Sequence, residues 1–226
     1  MILEGATADM PAAGGKGRAL ARAQAAGFAV PPFFVVPSGG MPDAEALGAA
    51  LASLGPGPYA VRSSGLAEDG AEASHAGQFE SLLNVPAEEI AAAIAQVSAS
   101  GAGEGLAAYR ATRGVSETAP PAVVVQRMIP ADHAGVAFSA DPVAGRRDRV
   151  VISATRGLGD RLVAGEVDGS GWWLTRPALE VVATTGDGEG LTGEQVREVA
   201  ELCIAAEAAF GGPQDIEWAF AEGQLY

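Results

Sequence analysis

Apolar positions in this chain follow two rhythms, short continuous or alternating runs and longer stripes of helical period, which together predict a mixed helix and strand protein. Gly14-Gly15-Lys16-Gly17 opens a helix through Arg18, Leu20, Ala23 and Gln24 that stops at Gly27. Phe33-Phe34-Val35-Val36 follows Pro31-Pro32 and predicts a short buried strand. Asp43 is placed to cap a second helix that ends near Gly55. Tyr59-Ala60-Val61-Arg62 predicts a strand leading into a polar, glycine-containing loop over 63–78. From Pro86 to Ala99 the spacing of Ile90, Ile94 and Val97 predicts a helix with one apolar face. A glycine-rich link over 101–105 then leads to a further helix carrying Leu106 and Tyr109.

The stretch 117–121 reads as a linker, so the expected division is a first lobe over 1–120 and a second over 121–226. Strands are predicted over 122–129, 135–140 and 149–154, with a turn at 130–134 and a loop at 141–145. Thr192 and Gln195 form a capping box ahead of an apolar helix face made by Val196, Val199, Leu202, Cys203, Ala206 and Phe210. Gly211-Gly212-Pro213 ends that helix. The next strand alternates, with Ile216, Trp218 and Phe220 on one face and Asp215, Glu217 and Ala219 on the other. Glu222-Gly223 turns the chain, and the return strand Gln224-Leu225-Tyr226 stops at once, the pattern of a hairpin cut short.

Composition narrows the function classes. At 226 residues, 48% hydrophobic and 19% charged, the chain is globular rather than disordered. A formal net charge of −14 argues against holding nucleic acid or an anionic membrane by general electrostatics. Any anionic ligand needs a local group of basic side chains or backbone amides. A single cysteine, Cys203, excludes an internal disulfide and fits the cytoplasm, and Met1 to Gly5 lacks the basic start and apolar run of a secretory leader. Of fourteen basic residues only Lys16 is a lysine, which suggests a place where a compact, flexible charge is needed and a planar guanidinium does not serve.

Several groups are candidates for chemistry. Gly14-Gly15-Lys16-Gly17 is not a Walker loop, which requires Ser or Thr after the lysine. It reads either as backbone amides offered to phosphate at a helix start or as a glycine-rich turn. Arg62-Ser63-Ser64-Gly65 places an arginine and two hydroxyls at a strand end, suited to phosphate oxygens or to an ordinary surface turn. Val123 to Met128 is either a hinge strand offering backbone groups to a purine or a plain core strand. Glu217 is either a magnesium ligand or part of a solvated strand face. His75 and His133 fit no metal or triad spacing, and Cys203 reads as core.

Taken in order, these residues resemble the N-terminal nucleotide-binding domain of phosphoenolpyruvate synthase, pyruvate phosphate dikinase and rifampicin phosphotransferase. The matching segments are Gly14 to Gly17, Val30 to Val35, Ala60 to Ser64, Ala67 to Asp69, Ser74 to Ser81 and Leu83 to Val85. Further on are Val125 to Met128, Gly135 to Pro142, Gly157 to Asp160, and Leu191 to Tyr226 with Asp215-Ile216-Glu217-Trp218. The resemblance implies an ATP-grasp fold of the α+β class, with ATP and Mg2+ between two lobes. It implies that Lys16 and Arg62 neutralise phosphate as the catalytic cations, and that a loop including Gly77, Gln78 and Ser81 covers it. Gln126 and Met128 would lie at the adenine and Glu217 would hold magnesium.

The resemblance further implies that a phosphoryl group passes from ATP to a histidine on a separate domain or chain, and from there to a small-molecule acceptor such as pyruvate or an antibiotic. Three departures qualify this. The family segment Gln-Ala-Arg-Pro that would follow Tyr226 is absent, and the stretch between Pro37 and Tyr59 is short. Neither histidine lies in a phosphohistidine motif. The competing readings are a non-catalytic nucleotide- or partner-binding regulatory module, and a small stand-alone kinase.

Overall fold

The computed structural model describes residues 1–65, 81–100, 120–186 and 190–226. The chain forms two compact units, Met1–Met128 and Ile129–Tyr226. The predicted helix around Leu106 and Tyr109, and the loop residues Gly77 and Gln78, lie outside the described residues.

The first unit is built on an antiparallel sheet of β1 (Phe33–Val36), β4 (Ala122–Arg127), β2 (Tyr59–Ser64) and β3 (Ser81–Val85), in that order. Helix α1 (Gly14–Ala25) covers one face, where Ala13 and Ala21 pack with Phe33, Val35, Ala122 and Val124. Helices α2 (Ala44–Leu54) and α3 (Ile90–Ser100) cover the other, where Leu47, Leu54, Ile90, Ile94 and Val97 pack on Phe34, Val36, Tyr59, Val61, Val123 and Val125. Both sides of β1 and β4 are therefore buried, which is why their sequences are continuous apolar runs rather than alternating ones. Asp43 caps α2 by accepting from the Ala46 amide at 2.8 Å, as its position predicts.

The division between units falls after Met128, not after residue 120. The strand assigned to the second lobe is β4, and it pairs with both β1 and β2 in the first sheet. It stops at Arg127 because the Arg127 and Met128 amides turn to the Pro32 and Pro58 carbonyls, at 2.9 and 3.0 Å.

The second unit is a six-stranded antiparallel sheet in the order β10 (Gln224–Leu225), β9 (Asp215–Ala221), β5 (His133–Phe138), β6 (Arg149–Arg156), β7 (Ser170–Thr175), β8 (Val181–Thr185). A short helix α4 (Asp160–Val163) follows β6. Helix α5 (Gly193–Phe210) packs Val196, Val199, Ala200 and Cys203 against Ala137, Ile152, Trp172, Trp218 and Phe220. Its capping box forms as predicted, Thr192 Oγ1 accepting from the Gln195 amide at 3.2 Å and Gln195 Oε1 from the Thr192 amide at 2.9 Å. Phe210, expected on the apolar face, is the last helical residue and is 38% exposed. Among the described residues no helix is long and apolar enough to cross a membrane.

Candidate functional site

Two motifs that are 47 residues apart in sequence are fastened together in the first unit. Gly14 to Gly17 form the first turn of α1, and Arg62-Ser63-Ser64-Gly65 form the end of β2 and its exit. The Gly15 amide donates to the Gly65 carbonyl at 2.8 Å. The Gly17 amide donates to Ser64 Oγ at 3.1 Å, and that hydroxyl donates in turn to the Ala13 carbonyl at 2.8 Å. Lys16 lies between the two bonded glycines and is partly buried. The other cations of α1 lie toward Asp9, which takes Arg22 Nε at 2.7 Å and has Arg18 Nε at 3.7 Å.

These bonds bear on the alternative readings of both motifs. The amides of Gly15 and Gly17 are committed to the strand end, so the glycines serve close packing and do not offer those amides to phosphate. Gly17 has the same character, since a Cβ there would come within 3.0 Å of Val35. Nor do the two hydroxyls after Arg62 face a ligand. Ser64 is fully buried on α1, and Ser63 is 1% exposed with its Oγ unpartnered among the described residues.

Strand register puts the first-unit candidates on one face. Arg62 is opposite Ser81 on β3 and Val124 on β4, and Gln126 is opposite Ala60. Cross-strand partners share a face and alternate residues do too. Arg62, Ser81 and Gln126 therefore project from the side of the sheet on which α1 packs. Ser81 is exposed and Arg62 half-buried. Gln126 is 9% exposed, and its Nε2 donates to the Pro31 carbonyl at 3.1 Å. Met128 is tied to β3, its Sδ accepting from the Asn84 amide at 2.9 Å. With the Arg127 and Met128 amides taken by carbonyls, this segment does not supply a backbone donor to a purine.

Glu217 belongs to the second unit. It is exposed on β9, opposite Val136, on the face away from the Trp218 and Phe220 core. Asp215, two residues earlier, shares that face opposite Phe138. Among the described residues no cluster of three or more His, Cys, Asp or Glu side chains forms a metal cage. Mg2+ does not need one, since it is commonly held by one or two carboxylates together with substrate phosphates and water. An exposed carboxylate such as Glu217 fits that donor set. Cys203 is buried in the α5 core, and burial pushes its thiol up to about 12, which agrees with its reading as a packing residue.

Residues 43–189 match the family model described as pyruvate phosphate dikinase, AMP/ATP-binding domain. The chain belongs to this family. The matched segment contains Arg62, Ser81, Gln126 and Met128, whereas Lys16 and Glu217 lie on either side of it. Over 208 residues the chain is 40% identical to a rifampicin phosphotransferase of a Streptomyces species, covering 79% of this chain and 24% of that protein. It is 34% identical over 193 residues to the rifampicin phosphotransferase of Bacillus subtilis, covering 74% and 22%. To a probable phosphoenolpyruvate synthase of Methanocaldococcus jannaschii it is 30% identical over 194 residues, covering 74% and 16%. The chain thus spans about a quarter or less of the length of these relatives. Among solved structures, an ATP citrate lyase from Methanothrix soehngenii in complex with citrate and coenzyme A aligns at 15% identity with a TM-score of 0.44, over 85% of this chain and 42% of that one, a likeness too distant to carry an argument.

Proposed function

We propose that this chain is the ATP-binding part of a dikinase-type phosphotransferase with an ATP-grasp fold. In this reading Lys16 and Arg62 neutralise the phosphates, and Gly77 and Gln78, with Ser81 at the start of β3, cover them. Gln126 and Met128 lie at the adenine, with the Met128 amide committed to the Pro58 carbonyl. Glu217, on the second unit, is the residue that would hold Mg2+. A bound magnesium would supply electrostatic stabilisation of the transferring phosphoryl group. The histidine that accepts the phosphoryl group belongs to another domain or chain, as does the pocket for a small-molecule acceptor.

The single observation that carries this reading is the bonding of the Lys16 turn to the Arg62 strand end, which holds the two cation-bearing backbones in one place in an otherwise acidic protein. Phosphoryl transfer asks little covalent chemistry of a protein; it needs fixed cations and orientation. The test is a calorimetric titration of the chain with ATP and Mg2+. One-to-one binding is expected, weakened by Lys16→Ala about tenfold to a hundredfold, the worth of a charge-assisted hydrogen bond. A folded chain that takes up no nucleotide, or a Lys16→Ala variant that binds as well as wild type, refutes the assignment and favours a non-catalytic module.

A further inference from the structure

We propose that Ser64 is a positioning residue for this site, acting as the helix cap that Lys16 lacks on its own segment and so locking Lys16 to the strand of Arg62. The inference rests on the phosphate role of Lys16 proposed above.

Helix α1 begins without a side-chain cap, because its N-cap residue is Ala13. A helix start leaves backbone amides without acceptors, and a hydroxyl from its own N-cap normally supplies one. Here the hydroxyl comes from β2. Ser64 Oγ accepts from the Gly17 amide at 3.1 Å and donates to the Ala13 carbonyl at 2.8 Å. Ala13 and Gly17 stand four apart, the spacing of one helical hydrogen bond, so Ser64 braces the first rung of the helix from outside. The Gly15 amide on the Gly65 carbonyl, at 2.8 Å, adds a second tie.

Lys16 is enclosed by these ties, while Arg62 is two residues before Ser64 and on the same face of the strand. A shift of the first turn would move the Lys16 backbone relative to that of Arg62. The Ser64 hydroxyl opposes that shift, and it does so fully buried, with no contact with solvent. Ser63 is an internal contrast. It is the same side chain, one residue away and equally buried, but its hydroxyl has no partner among the described residues.

The experiment compares Mg-ATP affinity by calorimetry in wild type, Ser64→Ala, Ser63→Ala, Lys16→Ala and the Lys16→Ala/Ser64→Ala double variant, with thermal unfolding of each. Ser64→Ala is expected to weaken binding about fivefold, the effect of one hydrogen bond. Ser63→Ala should leave affinity unchanged, and Ser64→Ala should add nothing once Lys16 is gone. Wild-type affinity in Ser64→Ala, or an equal loss with and without Lys16, overturns the positioning role. If Ser64→Ala does not fold, the near-isosteric Ser64→Cys replaces it under the same criteria. If wild type binds no nucleotide, the functional reading fails, and Ser64 is then judged on the protein alone. Lys16 is the chain's single lysine, so its 13C-methylated amine gives one side-chain NMR signal. Ser64→Ala must shift that signal and speed exchange of the Gly17 amide while Ser63→Ala does neither; unchanged spectra reject the inference.

Discussion

Gly14 lies so close to Ser64 that a Cβ on residue 14 would be 2.3 Å from the Ser64 carbonyl oxygen and 2.5 Å from its Oγ. Gly14 also has φ +69, in the left-handed region. Both facts demand glycine, and they add. Gly14→Ala is expected to cost roughly 2–4 kcal/mol, from backbone strain and from forcing α1 off β2. Gly27 is the comparison: its φ is +88, but among the described residues nothing lies within 4 Å of its Cβ position. Gly27→Ala should cost only about 1–2 kcal/mol, the strain alone. Denaturant unfolding of the two variants checks this, and equal losses would mean that the close approach at Ser64 is absent.

Elements whose signals are local were legible in the sequence. Asp43 and the Thr192/Gln195 pair mark helix starts through bonds to residues three positions away, and β1 was readable as an unbroken apolar run after two prolines. Strand β8 was not assigned, and of β7 only Trp172-Trp173 read as lying at a strand. In β7 Trp172 faces the α5 core while Trp173 faces away from it, and β8 is exposed along its whole length, so neither shows a clean alternation of apolar and polar residues. The unit boundary was displaced because Pro120-Pro121 resembles a linker, whereas β4, which follows it, is hydrogen-bonded between β1 and β2.

Cys203 gives a prediction on the alkaline side. Burial is the largest cause of its raised value, from 9.0 to about 12, followed by the nearby charge of Glu207. Between those values the unfolded chain loses the thiol proton and the folded chain keeps it. The folded state therefore binds more protons, and stability must fall as pH rises, by up to about 1.4 kcal/mol per pH unit from this group. Cys203→Ala should remove that part of the slope between pH 9 and 11 in urea unfolding, at the cost of a small cavity. An unchanged slope would show that the thiol is accessible in the native protein.

Glu207 gives the converse prediction on the acid side. A hydrogen bond from Arg176, with Nη1 at 2.9 Å, and one from Ser139 hold its carboxyl below the ordinary value. The same Arg176 nitrogen also donates to the Ser139 carbonyl at 2.7 Å, so the pair joins α5 to the end of β5 and the start of β8's hairpin. A lowered carboxylate contributes stability above its unfolded value, near 4.5, and loses it as pH falls through the lower folded value. Glu207→Gln should destabilise at pH 7 and flatten the decline of stability below pH 4.5. A variant whose acid unfolding curve parallels wild type would show that the ion pair is not maintained in solution.

The site was legible as a set of residue types but not as a set of bonds. Lys16 and Arg62 stood out as a lone lysine among glycines and an arginine at a strand end. That the glycine amides and both serine hydroxyls are turned inward was hidden, because the partners of Ser64 are 47 and 51 residues away and no local spacing records them. Gln126 and Met128 posed the same difficulty. Their bonds to Pro31, Pro58 and Asn84 depend on how β4 ends against two loops and β3, which periodicity does not encode.

The lone lysine itself supplies the last prediction. If Lys16 served only as positive charge, arginine would replace it, as arginine does at every other basic position in the chain. The surroundings argue otherwise. Lys16 is partly buried, between Gly15 and Gly17 whose amides are tied to the strand end, and the backbone beside it has no room even for a Cβ at residue 14. A guanidinium is a wide planar fork with fixed donor directions, while an ammonium can turn its three donors toward whichever phosphate oxygens are near. Lys16→Arg should therefore fold with stability within about 0.5 kcal/mol of wild type, as a substitution outside the core, yet bind Mg-ATP about tenfold more weakly. Calorimetry beside thermal unfolding separates the two quantities. Wild-type affinity in Lys16→Arg, with Lys16→Ala still impaired, would mean that the site reads charge alone and that the lysine is an accident of composition.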